Sequence, residues 1–382
     1  MESVLDFDDS IRGDKLQQLA LTLYQLPCFN QYKVDKISVI EAGLSQSCFY
    51  VKYDHKAYFA KYLNANSIEP LASQIAAREG LSPKHIYVEQ NWLITEFLPG
   101  QGLDKGPQSD DDKLTTTLTL LARCHRIPHN SLSGHNKSHY RDLAATSLSI
   151  VALSAERALG QLVTPVIAPT VIPMTLPTLN ISATIRQLCQ DIELSAAQAK
   201  VLKTLFHSLE QNLANAQQAV QNTKQVLCHG DANFSNVMSV ENIAMKADKS
   251  DYQLIDFECA CIAPVEYDLA MLMAVNNFDI RKMALICACY QQVFYRLGKQ
   301  AHQHEKPHGI VDNLMTNSHK DNAISLPLVT CYYDLSLLIN GLWYFLQFQR
   351  RKVVKYKTLA LKQMMLLALR HPQTNNVIDE MR

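Results

Sequence analysis

The chain has 382 residues, of which 47% are hydrophobic and 19% are charged, so it is long enough to bury a large core and to form two lobes or two domains. Its 36 basic and 36 acidic residues cancel, which argues against a polyanionic or membrane partner. No apolar run reaches membrane-spanning length, because even residues 151–174 are interrupted by Glu156, Arg157 and prolines.

The start of the chain and its cysteines favour a cytoplasmic protein. MESVLDFDDSIRGDK is acidic and lacks the basic region and apolar core of a secretory signal. The ten cysteines are then expected to stay reduced. Two cysteine pairs, at 259 and 261 and at 287 and 289, have CxC spacing rather than the CxxC spacing of zinc sites, so no structural metal is expected.

Three strands are predicted near the N-terminus. Lys36 to Ile40 has strand character, residues 49–53 alternate in polarity, and HKAYFAKYL at 55–63 alternates again. The turn from Gly43 to Ser47 is rich in small residues. Its backbone amides would approach phosphate groups, and an ordinary hairpin turn is the alternative.

A helix and a further strand follow. SIEPLASQIAAREG, residues 67–80, predicts a helix with Ser67 as its N-cap and Gly80 as its C-terminal stop. NWLITEFLPG, residues 91–100, predicts an apolar strand that a Pro-Gly break ends. We place a boundary between two lobes near Pro99.

Helical periodicity dominates after this boundary. LTTTLTLLARCHRIP, residues 114–128, predicts a helix in which His125 is more typical of a core or loop-supporting residue than of a catalytic one. Residues 144–182 are rich in Ala, Leu, Thr and Pro and carry little charge. They would either line a substrate site or form an insertion that packs on the lobe.

Two polar motifs carry the chemical signal of the chain. CHGDANFSNVM, residues 228–238, is followed by LIDFECA, residues 254–260. Their order and internal spacing are those of the HRDxxxxN catalytic loop and the DFG triplet of protein kinases. Phosphoryl transfer requires a carboxylate that orients or deprotonates the attacking hydroxyl and oxygen ligands for magnesium. The matching residues are His229, Gly230, Asp231 and Asn236 in the loop, and Asp256, Phe257 and Glu258 in the triplet.

The sequence around the motifs predicts short strands. Residues 225–227, 237–240 and 252–257 are apolar runs, and the polar segment 241–252 between them is typical of a hairpin loop. This arrangement would bring the polar groups to one edge of a small sheet. A Gly-Asp pair alone is an ordinary turn, but two motifs in this order are much less frequent by chance.

HGDANFSN, IDFE and the later APVEYDLA at 263–270 resemble the motifs of the aminoglycoside phosphotransferase and choline kinase superfamily, whose members phosphorylate small-molecule hydroxyls. Gly230 in place of a kinase arginine, DFE in place of DFG, and the missing APE-type segment separate the chain from protein kinases. The resemblance implies an α+β, protein-kinase-like fold of two lobes. Residues 1–98 would form a small nucleotide-covering lobe with an antiparallel sheet and one helix, and residues 99–382 a larger, mainly helical lobe.

The resemblance also implies a nucleotide site in the first lobe. A lysine on the third strand would bind the α- and β-phosphates, with a glutamate of the next helix as its partner. Lys61 and Glu69 match these positions, although Glu79 competes with Glu69 and a surface lysine is the alternative for Lys61. The predicted ATP-binding residues are Lys61, Glu69, Gly43, Ser45, Gln46, Ser47 and the backbone of Glu96, Phe97 and Leu98.

In the second lobe, Asp231 matches the catalytic base, and Asn236 and Asp256 match the magnesium ligands. Glu258 would contact the metal, directly or through water, or fix the loop. Asp268 matches a buried aspartate that accepts hydrogen bonds from the catalytic-loop backbone, and its alternative is a helix N-cap. His229 is predicted to support the same loop.

The residues that would bind the substrate accepting the phosphoryl group are predicted in the late helices. CYYDLSLLINGLWYFLQFQ, residues 331–349, contains Trp343 and Tyr344, whose faces would hold a quaternary ammonium by cation–π attraction. Asp334 and Asp279 would instead bind a cationic amine. An ordinary helical core is the alternative for these aromatic residues.

We therefore predict an ATP- and Mg²⁺-dependent kinase that phosphorylates a hydroxyl of a small cationic alcohol such as choline, ethanolamine or thiamine. The alternatives are an aminoglycoside or amino-sugar phosphotransferase and a non-catalytic nucleotide-binding protein of the same fold. Neither a nucleic-acid partner nor a membrane partner is predicted, and the sequence does not indicate an oligomeric state.

Overall fold

The structure is a computed structural model that describes residues 13–30, 33–40, 46–89, 91–128, 175–220, 223–240, 251–305 and 323–381. They divide into two compact units, each built from separate segments of the chain. The first unit contains the described parts of 1–101, 128–176 and 238–258, and the second those of 102–127, 177–237 and 259–382. The predicted lobe boundary at residue 98 stays a prediction.

The first unit is built on an antiparallel five-stranded sheet with the strand order β1-β2-β3-β5-β4. Successive side chains of a strand point to opposite faces of the sheet, and one face forms the core. Phe49 and Val51 of β2 are fully buried there and pack with Ile37, Trp92 and Ile94. The elements are α1 (Asp14–Tyr24), β1 (Val34–Ile40), β2 (Ser47–Tyr53), β3 (Lys56–Tyr62), α2 (Glu69–Arg78), β4 (His85–Glu89) and β5 (Trp92–Glu96). The sequence missed α1, which adds Ala20 and Leu23 to this core.

The helix predicted at 67–80 forms as α2, but Ser67 is not its N-cap. The N-cap is Ile68, which makes no side-chain capping bond. The hydroxyl of Ser67 instead accepts a hydrogen bond from the Glu69 amide at 3.3 Å. Gly80 lies beyond the helix with φ of 67°, a left-handed conformation that glycine adopts at low cost.

The second unit is mainly helical. Its longest helix, Leu326–Arg351, is buried on most sides and packs mainly against the helices Val265–Val275 and Val354–Ala368. The elements are α3 (Asp110–Cys124), α4 (Ile181–Asp191), α5 (Ala196–Ala219), β6 (Gln225–Cys228), β9 (Cys261–Pro264), α6 (Val265–Val275), α7 (Met283–Glu305), α8 (Leu326–Arg351), α9 (Val354–Ala368) and α10 (Asn375–Met381). None of the helices in the described part of the chain is long and apolar enough to cross a bilayer.

The strands around the two motifs form, but they do not share one small sheet as predicted. β6 pairs antiparallel with β9, which the sequence missed, whereas β7 (Val237–Ser239) pairs with β8 (Tyr252–Leu254). The expectation was wrong because it omitted β9, whose backbone takes the place beside β6. The predicted hairpin loop at 241–252 falls almost wholly outside the described residues. An antiparallel sheet followed by a mainly helical unit agrees with the predicted fold class.

Candidate active site

Lys61 lies at the centre of a cluster of three carboxylates in the first unit. Its Nζ is 2.7 Å from Oδ1 of Asp256, 2.8 Å from Oε2 of Glu69 and 3.8 Å from Oε2 of Glu258. β3 supplies the lysine, and Glu69 is the first residue of α2. The side chains of Lys61 and Glu69 are about 5% and 4% exposed. One ammonium thus faces three acids, which leaves a net negative charge.

Burial and charge act in opposite directions on the two buried partners. Burial alone would lower the pKa of Lys61, but the carboxylates of Glu69, Asp256 and Glu258 raise that pKa above its ordinary value. Lys61 is therefore an ammonium at neutral pH. Burial also raises the pKa of Glu69 above its ordinary value, and the charge of Lys61 opposes this increase.

Asp256 has an unusual backbone conformation. It follows β8 and precedes a short turn at Phe257–Cys259, and its φ is 65°, in the left-handed region that side-chain-bearing residues seldom adopt. Phe257 is fully buried beside it. A strained conformation held by surrounding packing is frequent at functional sites, because it aims a side chain that a relaxed turn would not.

The predicted phosphate turn is only partly described. Gly43 and Ser45 lie outside the described residues, and Ser47 is the first residue of β2. Nε2 of Gln46 donates to Oε2 of Glu258 at 3.0 Å, so the end of this turn contacts the carboxylate cluster.

The strand predicted to hold adenine ends in two backbone amides that are already hydrogen-bonded within the first unit. Glu96 donates its N–H to the Lys84 carbonyl at 3.0 Å, and Phe97 donates its N–H to the Ala57 carbonyl at 3.2 Å. These bonds fix the path of the chain after β5. The side chain of Phe97 packs edge-on against Tyr50, with ring centroids 5.0 Å apart.

In the second unit, Asp268 holds the backbone of the HGD loop. Its two carboxylate oxygens accept hydrogen bonds from the amides of His229 at 3.0 Å and Gly230 at 2.9 Å. Asp268 is fully buried in the first turn of α6, whose N-cap is Pro264, so the N-cap alternative is wrong. The carboxylate thereby fixes two consecutive amides of the loop.

A histidine and a tyrosine complete the surroundings of Asp268. Nε2 of His125 lies 2.9 Å from Asp268 Oδ2, and Nδ1 of His125 lies 2.8 Å from the Tyr290 hydroxyl. Burial acts to raise the pKa of Asp268, but hydrogen bonds and charge from His125 and the amide of Gly230 outweigh burial and lower the pKa below its usual value. Asp268 therefore stays ionised.

Gly230 satisfies two requirements at once. Its φ is 75°, and a Cβ at this position would collide with the backbone carbonyl of Cys259. Both the left-handed backbone and the close approach select glycine. The loop can therefore not carry the arginine that protein kinases have at this position without moving its backbone.

Asp231 and Asn236, the two predicted functional residues of the loop, are in direct contact. Nδ2 of Asn236 donates to the Asp231 carboxylate at 3.1 Å and to the Asp231 carbonyl at 3.0 Å. The Asp231 amide lies 3.3 Å from Nδ1 of His229, which is fully buried. The contact orients the carboxylate of Asp231 through the amide group of Asn236.

Asn276 is a loop-holding residue that the sequence analysis missed. It follows α6, and its Oδ1 accepts from the Phe234 amide while its Nδ2 donates to the Ala232 carbonyl, both at 3.0 Å. The side chain thus binds the loop backbone on both sides of Asn233. The only signal in the sequence is a polar Asn-Asn pair directly after the apolar helix, and such a pair is also typical of a helix end.

Tyr344, one of the predicted acceptor residues, interacts electrostatically with Asp231 of the loop. Burial raises the pKa of Tyr344 to about 12, and the negative charge of Asp231 contributes to this increase. The ring centroid of Trp343 is 5.3 Å from that of Tyr344 and 6.3 Å from that of Tyr356. An aromatic cluster therefore lies on α8 and α9 near Asp231.

The two carboxylates predicted to bind a cationic acceptor are already paired. Asp334 is buried and accepts from Arg370 Nε at 2.8 Å, and its Oδ2 lies 3.0 Å from Nε2 of His371. Asp279 forms a two-point ion pair with Arg281, at 2.7 and 3.0 Å. Each carboxylate thus has a cationic neighbour, so we do not include either residue in the acceptor site that we propose, and their predicted role in binding the acceptor stays a prediction.

Comparison with known proteins supports the fold. The structure is similar to a choline kinase from Cryptosporidium parvum (TM-score 0.56, 11% identity, 96% of this chain and 97% of that chain). It is also similar to a choline kinase from Streptococcus pneumoniae (0.55, 16%, 93% and 99%) and to an ethanolamine kinase from Plasmodium vivax (0.54, 17%, 88% and 84%). These similarities confirm the predicted protein-kinase-like fold. No curated protein matches the chain by sequence.

The family is shown by a match of the sequence itself. Residues 36–286 match the phosphotransferase enzyme family (APH), and this range includes Lys61, both motifs and Asp268. The predicted family resemblance and the predicted phosphotransferase activity class are thereby confirmed. Because the match covers more than half of the chain, the protein belongs to the phosphotransferase enzyme family.

Proposed function

We propose that this phosphotransferase is an ATP- and Mg²⁺-dependent kinase that transfers the γ-phosphoryl group to a hydroxyl of a small molecule. The observation that carries the proposal is the Lys61 cluster. Carboxylate oxygens of Glu69, Asp256 and Glu258 lie within 4.8 Å of one another, which suits a shared divalent cation. The ammonium of Lys61 among them suits the α- and β-phosphates of the nucleotide.

The donor set fits magnesium, because Mg²⁺ prefers carboxylate and other hard oxygen ligands. Asp256 and Glu258 would hold the ion, and the amide oxygen of Asn236 remains the third predicted ligand. When bound, the ion neutralises charge on the β- and γ-phosphates. Glu69 keeps Lys61 in place when the phosphates draw the ammonium toward them.

Asp231 would accept the proton of the acceptor hydroxyl. The hydroxyl oxygen forms a bond to the γ-phosphorus, the bond from that phosphorus to the β-phosphate oxygen breaks, and the proton passes to the carboxylate. The contact with Asn236 orients this carboxylate, and Asp268 with Asn276 fixes the backbone that carries it.

For adenine, we propose hydrogen bonds to fewer backbone groups than the sequence predicted. Because Glu96 and Phe97 donate their amides within the first unit, the Leu98 amide is the donor we assign to the base. The carbonyl of Glu96, which also accepts from the Thr95 hydroxyl at 3.3 Å, would accept a hydrogen bond from the base through its second lone pair. The side chains of this segment would pack rather than read the nucleotide.

We propose choline, or an alcohol with a similar quaternary ammonium group, as the acceptor. The pairing of Asp334 with Arg370 and of Asp279 with Arg281 leaves the aromatic cluster of Trp343, Tyr344 and Tyr356 as the cation-binding feature. A quaternary ammonium donates no hydrogen bonds, so aromatic faces are sufficient to bind it. Aminoglycosides and primary amines donate hydrogen bonds and therefore require hydrogen-bond acceptors in the protein. The fold shared with choline kinases supports the same choice. An amino-sugar or aminoglycoside phosphotransferase is the second candidate.

The test is a substrate panel with ATP and magnesium. The purified chain is incubated with choline, ethanolamine, thiamine, an amino sugar, an aminoglycoside and a generic protein, and products are identified by mass spectrometry. We expect phosphorylated choline, which forms at least about 100-fold more slowly with the Asp231→Asn variant. Asp111→Asn, an exposed carboxylate of α3, is the matched control. Phosphorylation of the protein substrate alone would contradict the proposal.

A further inference from the structure

The charge of the chain is balanced overall but segregated near its C-terminus. Between residues 335 and 378 the sequence contains no Asp or Glu. The same stretch contains seven basic residues, namely Arg350, Arg351, Lys352, Lys355, Lys357, Lys362 and Arg370. Two of these are paired with distant acids, Arg350 with Asp191 at 3.7 Å and Arg370 with Asp334 at 2.8 Å. The balance that argued against a polyanionic or membrane partner therefore does not hold locally.

Exposed apolar side chains are concentrated in the same segment. Among the described residues eight large hydrophobic side chains are exposed, and four of them follow α8 within this segment. Val353 is 47% exposed, Val354 69%, Met365 53% and Leu369 79%. Apolar side chains that cluster on a surface mark interaction sites more often than scattered ones do.

Helical geometry places these residues on one face. The core face of α9 consists of Tyr356, Ala360, Gln363, Met364 and Leu367. Val354, Met365 and Leu369 are spaced by multiples of about one turn and lie on the opposite, solvent-facing side. Lys355 and Lys362, seven residues apart, border this stripe and are exposed. Lys352 and Val353 extend it into the turn that precedes α9.

We propose that this basic apolar face, formed by Lys352, Val353, Val354, Lys355, Lys362, Met365 and Leu369, docks on the surface of a bilayer that contains anionic phospholipid. The lysines would bind lipid phosphates, and the valine, methionine and leucine side chains would enter the boundary between headgroups and acyl chains. The helix would lie on the membrane and not cross it. This inference does not depend on the proposed substrate.

Other occupants fit the face less well. A symmetric contact with a second copy would place Lys355 and Lys362 opposite the same lysines, and like charges repel. A nucleic acid would bind the lysines but would leave the exposed Met365 and Leu369 unexplained. An anionic bilayer accounts for the charge and for the apolar stripe together.

The experiment is flotation of the full chain with vesicles of pure phosphatidylcholine and of phosphatidylcholine mixed with phosphatidylglycerol. We expect binding to the mixed vesicles only, weakened by added salt. Each lysine near an anionic surface is worth about fivefold in partitioning, so Lys355→Gln with Lys362→Gln is expected to reduce binding roughly 30-fold. Met365→Gln with Leu369→Gln is expected to reduce binding at least about tenfold.

Matched controls separate this face from general charge and hydrophobicity. Lys200→Gln with Lys203→Gln removes two exposed lysines of α5, and Leu285→Gln removes an exposed leucine of α7. We expect both controls to bind like the unaltered chain, with melting temperatures unchanged in every variant. Equal loss in the controls, or binding that ignores the lipid charge, would overturn the proposal. The proposal would also be overturned if the chain floated with neither kind of vesicle and formed a dimer that the substitutions Met365→Gln and Leu369→Gln dissociate. That result would assign the face to a second copy of the chain.

Discussion

Nε2 of His125 lies 2.9 Å from the carboxylate of Asp268, and both side chains are buried. Residues 143 positions apart in the chain thus form one polar unit behind the HGD loop. Asp268 is ionised in this unit and accepts from two loop amides, so its position sets the path of the loop.

Asp268→Asn is expected to destabilise the protein and to disorder the loop. An amide has one acceptor oxygen and one NH₂ group, so it cannot accept from both loop amides and His125. Leaving a buried donor unpaired costs about 1–3 kcal/mol. Chemical denaturation would measure the loss, with Asp111→Asn, at an exposed position of α3, as the control. Equal stability of the two variants would contradict the role of Asp268.

Asp231→Asn and Asp256→Ala are expected to fail in different ways. Loss of the proton acceptor lowers the turnover rate by roughly 100-fold to 10,000-fold, while nucleotide affinity changes little. Removal of Asp256 takes a carboxylate from the Lys61 cluster and should weaken binding of ATP with magnesium. Steady-state kinetics together with calorimetric nucleotide titration separates the two effects. Near-normal turnover of Asp231→Asn would show that its assigned role is wrong.

Asn276→Ala is expected to lower activity without changing the chemical groups of the loop. Two hydrogen bonds to the loop backbone are lost, each worth about 1 kcal/mol. We expect a lower turnover rate with an almost unchanged Michaelis constant for ATP. Asn276→Asp keeps the acceptor for Phe234 but loses the donor for Ala232, so its activity should be intermediate. If both variants match the unaltered enzyme, Asn276 does not position the loop.

His85 is expected to make the protein less stable in mild acid, whereas Glu69, whose pKa burial raises, acts in the opposite direction. Burial lowers the pKa of His85 from 6.5 to about 4, and its Nε2 lies 2.9 Å from the Ser73 hydroxyl. Between pH 6.5 and 4 the unfolded chain binds a proton that the folded chain does not, so the free energy of unfolding decreases as pH falls through this window.

The measurement is the free energy of unfolding as a function of pH for the unaltered chain and for His85→Gln. Between pH 6.5 and 4 the variant should lose less free energy of unfolding than the unaltered chain does. His207→Gln, at an exposed position of α5, should keep the original slope. A slope that is the same in all three proteins would exclude His85 as its source.

Local patterns predicted β1, β2, β3 and β5 but not β4, together with the helices α2, α3 and α8 and the residues of the two motifs, because alternation, helical period and motif spacing are local properties. They did not predict β9, because a four-residue strand between a motif and a helix has no distinct period. The pairing of Asp334 with Arg370 and His371 was not predicted, because these residues are 36 and 37 positions away in the chain. The outer face of α9 was missed because a helix that is apolar on two sides resembles an ordinary core helix.

Gly230 bears on how this loop relates to that of protein kinases. The collision of a Cβ with the Cys259 carbonyl arises from the segment after Asp256, not from the loop alone. Replacing this glycine would therefore require a coordinated change in two parts of the backbone. A single substitution at position 230 would therefore not produce the protein-kinase loop, because the backbone near Cys259 would have to move as well.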